Sequence, residues 1–142
     1  MNDAEVNKKR LFADTQHLSL ATVSVDGSPY GTWLRFVSDE KYIYFDNVPE
    51  SAHVSNIRRD PRVYLTILNL DGEDSISGYI RSRAEILTGA EAEQALVLLG
   101  TVGTPDPVNN VYCRVKIGEI DTDKKAKNPQ RQFYFVNREE EG

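Results

Sequence analysis

The sequence predicts a mainly β fold: an antiparallel sheet, closed or half closed into a barrel, with helices at its periphery. Several short segments are rich in β-branched and aromatic residues and alternate apolar with polar positions, which is typical of strands with one buried face. Most of them are separated by tight-turn signals, and this favours antiparallel pairing. Closure of the sheet protects the edge strands that an open sheet would expose.

The predicted elements begin with a helix over residues 4–14, for which Val6, Leu11 and Phe12 are the apolar anchors. Asp26-Gly27 is the strongest hairpin signal in the chain. The segment RVYLTILNL is apolar on both faces, as expected for a central strand. The predicted strands are residues 18–25, 28–37, 42–47, 62–70, 76–87, 111–121 and 131–137.

Two further helices are predicted between these strands. In the first, Pro49 suits the first helical position and Asp60-Pro61 ends the helix, with Val48, Ala52 and Ile57 expected to pack inward. The second begins at a capping box, in which Thr88 is the N-cap and Glu91 reaches back to it, and Gly100 closes it.

Length and composition favour one intracellular domain. The 142 residues fit a single domain, 1–142, with an N-terminal helix in 1–15 and a tail with a strand in 122–142. Cys113 is the single cysteine, which favours a reducing, cytoplasmic setting, and neither a signal peptide nor a membrane span is predicted. The net charge of −5 disfavours nonspecific binding of nucleic acid.

Motifs for several kinds of chemistry are missing from the sequence. Two histidines and one cysteine do not make a zinc site, and neither HExxH nor CxxC occurs, so no metal site is predicted. There is also no GxSxG elbow, Walker A loop or GxGxxG. If the protein is catalytic, a bound organic cofactor is therefore expected to supply the chemistry.

The segment PESAHVSNIRRDPRV, residues 49–63, has two compatible interpretations. It is either a connector helix alone or a helix whose start also holds an anion. Free backbone N–H groups there favour phosphate, Ser51 can donate a hydroxyl and His53 an imidazole N–H. Asp46 and Asn47, at the end of the preceding strand, can bond to polar edges of the same ligand. Glu50 argues against the anion, since its carboxylate competes with it.

The order of these elements resembles the pyridoxamine 5'-phosphate oxidase-like family of flavin-binding split β-barrels. The resemblance rests on LATV, a DG turn, SP, the strand YIYFDN and the run NIRRDPRV, and it covers about residues 10–120. It implies a Greek-key antiparallel split barrel of six to seven strands with two or three peripheral helices. NIRRDPRV is its most specific part and is expected to have a structural role.

The resemblance also implies a homodimer with FMN in a cleft at the dimer interface. The segment Thr32-Trp33-Leu34-Arg35 would lie along the isoalloxazine ring, and Ser51, Ala52 and His53 would grip the phosphate. The full set of implied cofactor-binding residues is Thr32, Trp33, Leu34, Arg35, Asp46, Asn47, Ser51, His53 and Ser77.

The sequence departs from the family pattern at three positions in this region. Ala52 replaces a basic residue, His53 is a weaker cation than lysine or arginine, and Asp46 replaces an uncharged residue. Arg35, Arg81 or Arg83 would compensate if they point into the cleft. The C-terminal motif of true pyridoxamine 5'-phosphate oxidases is missing, so that activity is not expected.

Three functions follow as hypotheses. The first is an FMN-dependent oxidoreductase acting on an unidentified small molecule, with an electron donor such as NAD(P)H; its catalytic residues are unknown. The second is a non-catalytic flavin-binding or cofactor-free barrel. The third keeps the fold with a deazaflavin or haem, for which His53 is the nearest axial ligand.

Three single residues have interpretations of their own. Trp33 is expected in the core or a dimer interface more often than against a cofactor. His17 is interpreted as a surface or capping residue, and Cys113 as a small buried hydrophobe.

Overall fold

The structure, a computed structural model, describes residues 2–13, 15–70 and 74–126. The predicted strand at 131–137 lies outside the described residues. The helices are α1 (Asp3–Phe12), α2 (Ala52–Arg59) and α3 (Gly89–Leu99). The strands are β1 (His17–Val23), β2 (Pro29–Arg35), β3 (Val37–Ser38), β4 (Tyr42–Asn47), β5 (Arg62–Asn69), β6 (Asp74–Ile86), β7 (Val111–Lys116) and β8 (Asp121–Ala126).

The strands form one antiparallel sheet in the order β2-β1-β5-β6-β7-β4-β3, and β8 pairs with β6 beside that path. The 13-residue strand β6 connects the two halves, because it pairs with β5 and β8 along its first part and with β7 at residues 84–86. The sheet therefore curls into a half-barrel with peripheral helices. The predicted mainly β, antiparallel split barrel is confirmed.

The hairpin β1–β2 forms where Asp26-Gly27 predicts it. Gly27 has φ 86°, which a residue with a side chain rarely adopts. The Asp26 carboxylate accepts hydrogen bonds from the Ser28 amide at 3.0 Å and the Ser28 hydroxyl at 2.6 Å. This turn sets the β1–β2 register, in which Ser19 lies opposite Trp33.

Alternation along the strands builds the core inside the curled sheet. Leu18 and Leu20 of β1, Leu65 and Ile67 of β5 and Phe45 of β4 are fully buried. Each such side chain contributes about 1.5–3 kcal/mol by leaving water. Cys113 also belongs to this core, which confirms the prediction of a small buried hydrophobe, and burial raises the pKa of its thiol to about 12.

Helix α1 packs on the sheet through Leu11, which is fully buried. The predicted anchor Val6 is wrong, since it is 40% exposed and Asn7 is buried instead. The helix starts one residue earlier than predicted, because Asn2 caps it by accepting from the Glu5 amide at 2.9 Å. Asn2 thereby satisfies one of the free N–H groups of the first turn.

The predicted capping box of α3 is not formed. Thr88 is the N-cap, but its side chain makes no capping hydrogen bond. Glu91 pairs instead with Arg114 of β7 at 2.7 Å, and Arg114 also bonds to Glu85. An arginine on the neighbouring strand is a stronger partner for the carboxylate than the backbone N–H of the cap.

Strand β5 has only one buried face, so the prediction of a strand apolar and buried on both sides is wrong in part. β5 does lie inside the sheet, between β1 and β6. Its other side chains, including Tyr64 (39% exposed) and Leu68 (45% exposed), point away from the core. We call this side of strands β2, β1, β5 and β6 the outer face.

Candidate cofactor site

Helix α2 begins at Ala52, with Ser51 as its N-cap, and not at Pro49 as predicted. The Ser51 amide donates to the Val48 carbonyl at 3.1 Å and closes a turn over Pro49 and Glu50. Of the three side chains expected to pack inward, Ile57 does and the other two do not. Val48 and Ala52 are exposed, contrary to prediction, and the buried residues are His53, Val54, Asn56 and Ile57.

The C-terminal half of α2 is fixed to strand β1 by side-chain hydrogen bonds. Asn56 Nδ2 donates to Thr22 Oγ1 at 3.0 Å, and both residues are buried. Arg59 donates to the Val23 carbonyl at 2.6 Å and to Asn56 Oδ1 at 3.0 Å. Asp60 ends the helix as predicted and accepts from the Arg62 guanidinium, whose hydrogen bonds hold the pKa of that carboxyl at about 2. These contacts give NIRRDPRV the structural role expected for it.

The N-terminal turn of α2 contains two buried polar atoms without partners. His53 is 3% exposed, and its ring lies 6.2 Å from that of Phe45, centroid to centroid, at 57°. The His53 Nε2 and Ser51 Oγ atoms are buried and make no hydrogen bond. Because buried polar atoms almost always have a partner, this pair indicates a place where a ligand supplies one.

The electrostatics of this helix start suit a ligand that accepts hydrogen bonds. Its first turn carries no acidic residue, and the Ser51 side chain does not cap the free N–H groups. Burial lowers the pKa of His53 below its ordinary 6.5, so the imidazole is neutral at pH 7. His53 therefore offers a hydrogen bond there but no positive charge. Glu50 is exposed, in the turn that precedes the helix.

The polar pair at the end of β4 is held by neighbouring groups. Asp46 Oδ2 accepts from Asn110 Nδ2 at 2.6 Å, and Asn47 Oδ1 accepts from the Val48 amide at 2.8 Å. The Asp46 carboxylate is thus stabilised by a hydrogen bond from a neutral amide. Sequence reasoning missed Asn110, and the only signal for it was its place in the Pro- and Gly-containing loop TVGTPDPVNN.

The same loop holds Arg35. The Arg35 Nη1 donates to the Val102 carbonyl at 2.5 Å. Gly103 permits this approach, since a Cβ there would lie 3.2 Å from that nitrogen. Arg35 and Asp46 line one cavity of about 270 Å³ beneath residues 102–105. The structure therefore brings Arg35 to the end of β4, where the sequence alone placed only Asp46 and Asn47.

The other predicted residues of β2 differ in where their side chains lie. Leu34 is in the core, so only its backbone can face a cofactor, and Thr32 is half-buried. Trp33 is 65% exposed on the outer face, so of the two positions expected for it the core is wrong, and the dimer interface stays a prediction. Its ring stacks on that of His17, with centroids 5.8 Å apart and an interplanar angle of 4°. His17 itself is half-buried as the first residue of β1, so it is less exposed than the predicted surface or capping residue.

Ser77 lies apart from the other candidates. It is in β6, where it accepts a hydrogen bond from the Tyr79 hydroxyl at 3.0 Å. Strands β1 and β5 lie between β6 and β2 in the sheet. At the usual spacing of neighbouring strands, β6 and β2 are therefore about 14 Å apart. Within one chain, Asp46, Asn47, Ser51 and His53 lie at or just after the end of β4, and Ser77 belongs to the outer face.

In the parts of the chain that the structure describes, no group of three or more His, Cys, Asp or Glu residues is placed to hold a metal ion. None of the helices described is long and apolar enough to cross a membrane.

Comparison with known structures shows the fold in several proteins of different chemistry. An FAD-binding protein of Mesorhizobium loti has a TM-score of 0.70 and 21% identity over 88% of this chain and 96% of that one. The haem storage protein HutZ of Vibrio cholerae has a TM-score of 0.69 and 15% identity, over 87% and 94%. An F420 reductase has a TM-score of 0.61 and 20% identity, over 85% and 98%. No curated protein matches the sequence.

The family is shown by the sequence itself. The profile of the family described as pyridoxamine 5'-phosphate oxidase matches residues 7–126, a range that includes the second half of α1, all of α2 and α3 and the whole described sheet. This agrees with the resemblance carried by LATV, the DG turn and NIRRDPRV. The chain belongs to the pyridoxamine 5'-phosphate oxidase family.

Proposed function

We propose that this protein binds FMN, with the phosphate at the start of α2, and that it is a flavin-dependent oxidoreductase. The observation that carries the proposal is the pair of buried, unpartnered atoms Ser51 Oγ and His53 Nε2 in one turn. A phosphate group would accept hydrogen bonds from the Ser51 hydroxyl, from the His53 N–H and from free amides of the helix start. When bound, a flavin supplies hydride transfer, which the chain's own side chains do not.

Few residues at this site supply positive charge to compensate that of a bound phosphate. His53 is neutral, so it orients an anion without compensating its charge. Arg35 is the cation that the loop holds beside Asp46. Arg81 and Arg83, the other candidates for compensation, lie on the exposed side of β6 and line a separate cavity. We therefore expect weaker FMN binding than a site with two basic residues at this turn would give.

The outer face supports a homodimer as part of the proposal. Its exposed aromatic and apolar side chains include Trp33, Tyr64 and Leu68. A cross-strand row runs from Trp33 through Ser19 and Thr66 to Tyr79, so small residues separate two aromatic ones. A contiguous face of this kind is typical of an interface. A second copy covering it would bring a second Ser77 towards the β2 segment, which one chain keeps apart.

A haem protein is the second candidate function. The observation that favours it is the same unpartnered Nε2 of His53, since a neutral imidazole nitrogen is a common metal ligand. One fold neighbour is a haem storage protein. Haem gives a Soret band and flavin does not, so an absorption spectrum separates the two.

The proposed FMN site is tested by fluorescence titration of FMN with variants of the helix start. We expect Ser51→Ala with His53→Leu to weaken FMN binding more than tenfold, because two hydrogen bonds to an ionised group are lost. Ser55→Ala is the matched control, since it removes an exposed hydroxyl from the same helix. Equal FMN affinity in the double variant and the control would overturn the proposed site. Oxidation of NAD(P)H by the FMN-loaded protein then distinguishes an enzyme from a binding protein.

A further inference from the structure

The start of helix α2 has little positive charge to set against a bound phosphate. The turn Ser51-Ala52-His53 contains no lysine or arginine. The free amides of a helix start are equivalent to about half a positive charge. A phosphate ester carries a charge of about −1.5 to −2 at pH 7, because its second pKa is about 6. Most of the charge of an FMN phosphate at this turn therefore needs another source of compensation.

The charged side chains around His53 do not supply that compensation. The His53 ring lies beside that of Phe45 in β4, and α2 also packs on β1 and β6. Arg35 is bonded to the Val102 carbonyl. No charged group shifts the pKa of His53, whose lowering has burial as its only cause. Titratable groups on the surrounding elements include Asp46 of β4, Glu50 of the turn before the helix, Arg58 and Arg59 of α2, His17 of β1, Arg81, Arg83 and Glu85 of β6, and Cys113 of β7.

His53 itself is placed to take up the missing charge. Its side chain is 3% exposed, and its Nε2 atom is buried without a partner in the same turn as the unpartnered Ser51 Oγ. In the free protein, burial favours the neutral imidazole. A phosphate at hydrogen-bond distance has the opposite effect, because a neighbouring negative charge favours the protonated ring. The anion thus changes the charge of the residue that binds it.

We propose that binding of FMN at the α2 start draws one proton onto His53, so that the phosphate is held by an imidazolium. The inference rests on the proposed FMN site and adds that its affinity is regulated by pH. The free protein holds a neutral imidazole and FMN is a dianion, and one proton from solvent joins the ring as the complex forms. At high pH the ring stays neutral in the complex too, and it then supplies a hydrogen bond without charge.

The first test is fluorescence titration of FMN into the full chain between pH 7.0 and 8.5, a window above the pKa of the phosphate itself. We expect the Kd to rise at least about threefold across this window, since uptake of one proton changes it by up to about tenfold per pH unit. Calorimetric titration at pH 7.5 in Tris and in HEPES, which differ in their heat of ionisation, counts the proton directly. We expect uptake of about 0.3 to 1 proton per FMN.

The informative variant is His53→Gln, which keeps a hydrogen-bond donor at the buried position but has no titrating group. Its FMN Kd should change by less than about 1.5-fold over the same window, because no proton is taken up. The matched control is His17→Gln, which removes the other histidine of the chain and should keep the pH dependence. The thermal midpoint of His53→Gln checks its folding, and the calorimetric proton count needs no variant.

The outcomes separate this inference from the proposed function. An FMN affinity that does not vary with pH, equal heats in the two buffers, or the same pH dependence in His53→Gln would overturn the inference and leave the FMN site in place. Loss of the pH dependence in His17→Gln would assign the proton to His17 and would also overturn it. Failure of the unaltered protein to bind FMN at any pH would overturn both.

Discussion

Asn56 and Thr22 form a buried hydrogen bond of 3.0 Å that joins helix α2 to strand β1. Asn56 also accepts from Arg59, which donates in turn to the Val23 carbonyl. One side-chain amide thus holds the helix against the sheet and orders the arginine at its end. The position of the helix start, with Ser51 and His53, depends on this connection.

Asn56→Ala is expected to destabilise the fold by about 1–3 kcal/mol, because it leaves the buried Thr22 hydroxyl without its partner. For a domain of this size that lowers the thermal midpoint by roughly 3–15 °C. Thermal unfolding followed by circular dichroism measures the change. Ser55→Ala, on the exposed side of the same helix, should stay within about 0.5 kcal/mol of the unaltered protein. An unchanged midpoint in Asn56→Ala would contradict the structural role.

Gly78→Ala is expected to destabilise the protein by about 1–3 kcal/mol through overpacking. A Cβ at Gly78 would lie 2.1 Å from Leu11 Cδ2, and Leu11 is fully buried and has little room to move. In a Leu11→Ala background there is no leucine side chain to clash with, so Gly78→Ala should destabilise that protein less than it destabilises the unaltered one. Urea unfolding of the four proteins in this cycle gives the coupling between the two sites. Additive effects would show that Leu11 does not pack over Gly78.

Stability is expected to fall as the pH is lowered from about 6.5, the ordinary pKa of histidine, towards the lower pKa of buried His53. In that window the histidine of the unfolded state binds a proton and that of the folded state does not. The contribution of His53 to the free energy of unfolding is therefore fully present above pH 6.5 and is lost on acidification. The carboxyl groups of Asp26, Asp39, Asp60 and Asp106 have lowered pKa values and titrate below this window.

Urea unfolding between pH 5 and 7.5 measures this dependence. His53→Leu removes the titrating group from the same buried position, and its stability should vary less with pH than that of the unaltered protein. If both proteins lose stability equally over the window, His53 is not the group responsible.

Thr88→Ala is expected to change stability by less than about 0.5 kcal/mol, because the Thr88 hydroxyl makes no capping hydrogen bond. Asn2→Ala removes a capping bond that does form, to the Glu5 amide, and should cost about 0.5–2 kcal/mol. Chemical denaturation of the two variants side by side compares them. A loss of stability well above this limit for Thr88→Ala would indicate that the capping box predicted from the sequence does form.

Local signals predicted most of the fold. The Asp26-Gly27 turn, the alternation of β1 and the end of α2 at Asp60 are properties of neighbouring residues, and the structure confirms them. Strand β8 was not predicted, because its sequence DTDKKA lacks apolar alternation and its strand form depends on pairing with β6. Such a strand is specified by its partner rather than by its own residues.

The candidate site was predicted only in part, for a related reason. The sequence placed Ser51 and His53 at a helix start, but the packing of the helix against the sheet decides which of its side chains are buried. The neutral state of His53, the Asn110 bond to Asp46 and the loop contact to Arg35 all depend on tertiary packing. The register that sets Arg62 opposite Arg83 likewise has no signal in either strand alone.

The most direct test of the account is the visible absorption spectrum of the purified protein before and after addition of FMN, with any released ligand identified by mass. The account predicts flavin bands, either as purified or after FMN uptake, that are lost in Ser51→Ala with His53→Leu and kept in Ser55→Ala. A protein that stays colourless with FMN, or that shows a Soret band and releases haem, would contradict the assignment of the α2 start as a flavin phosphate site.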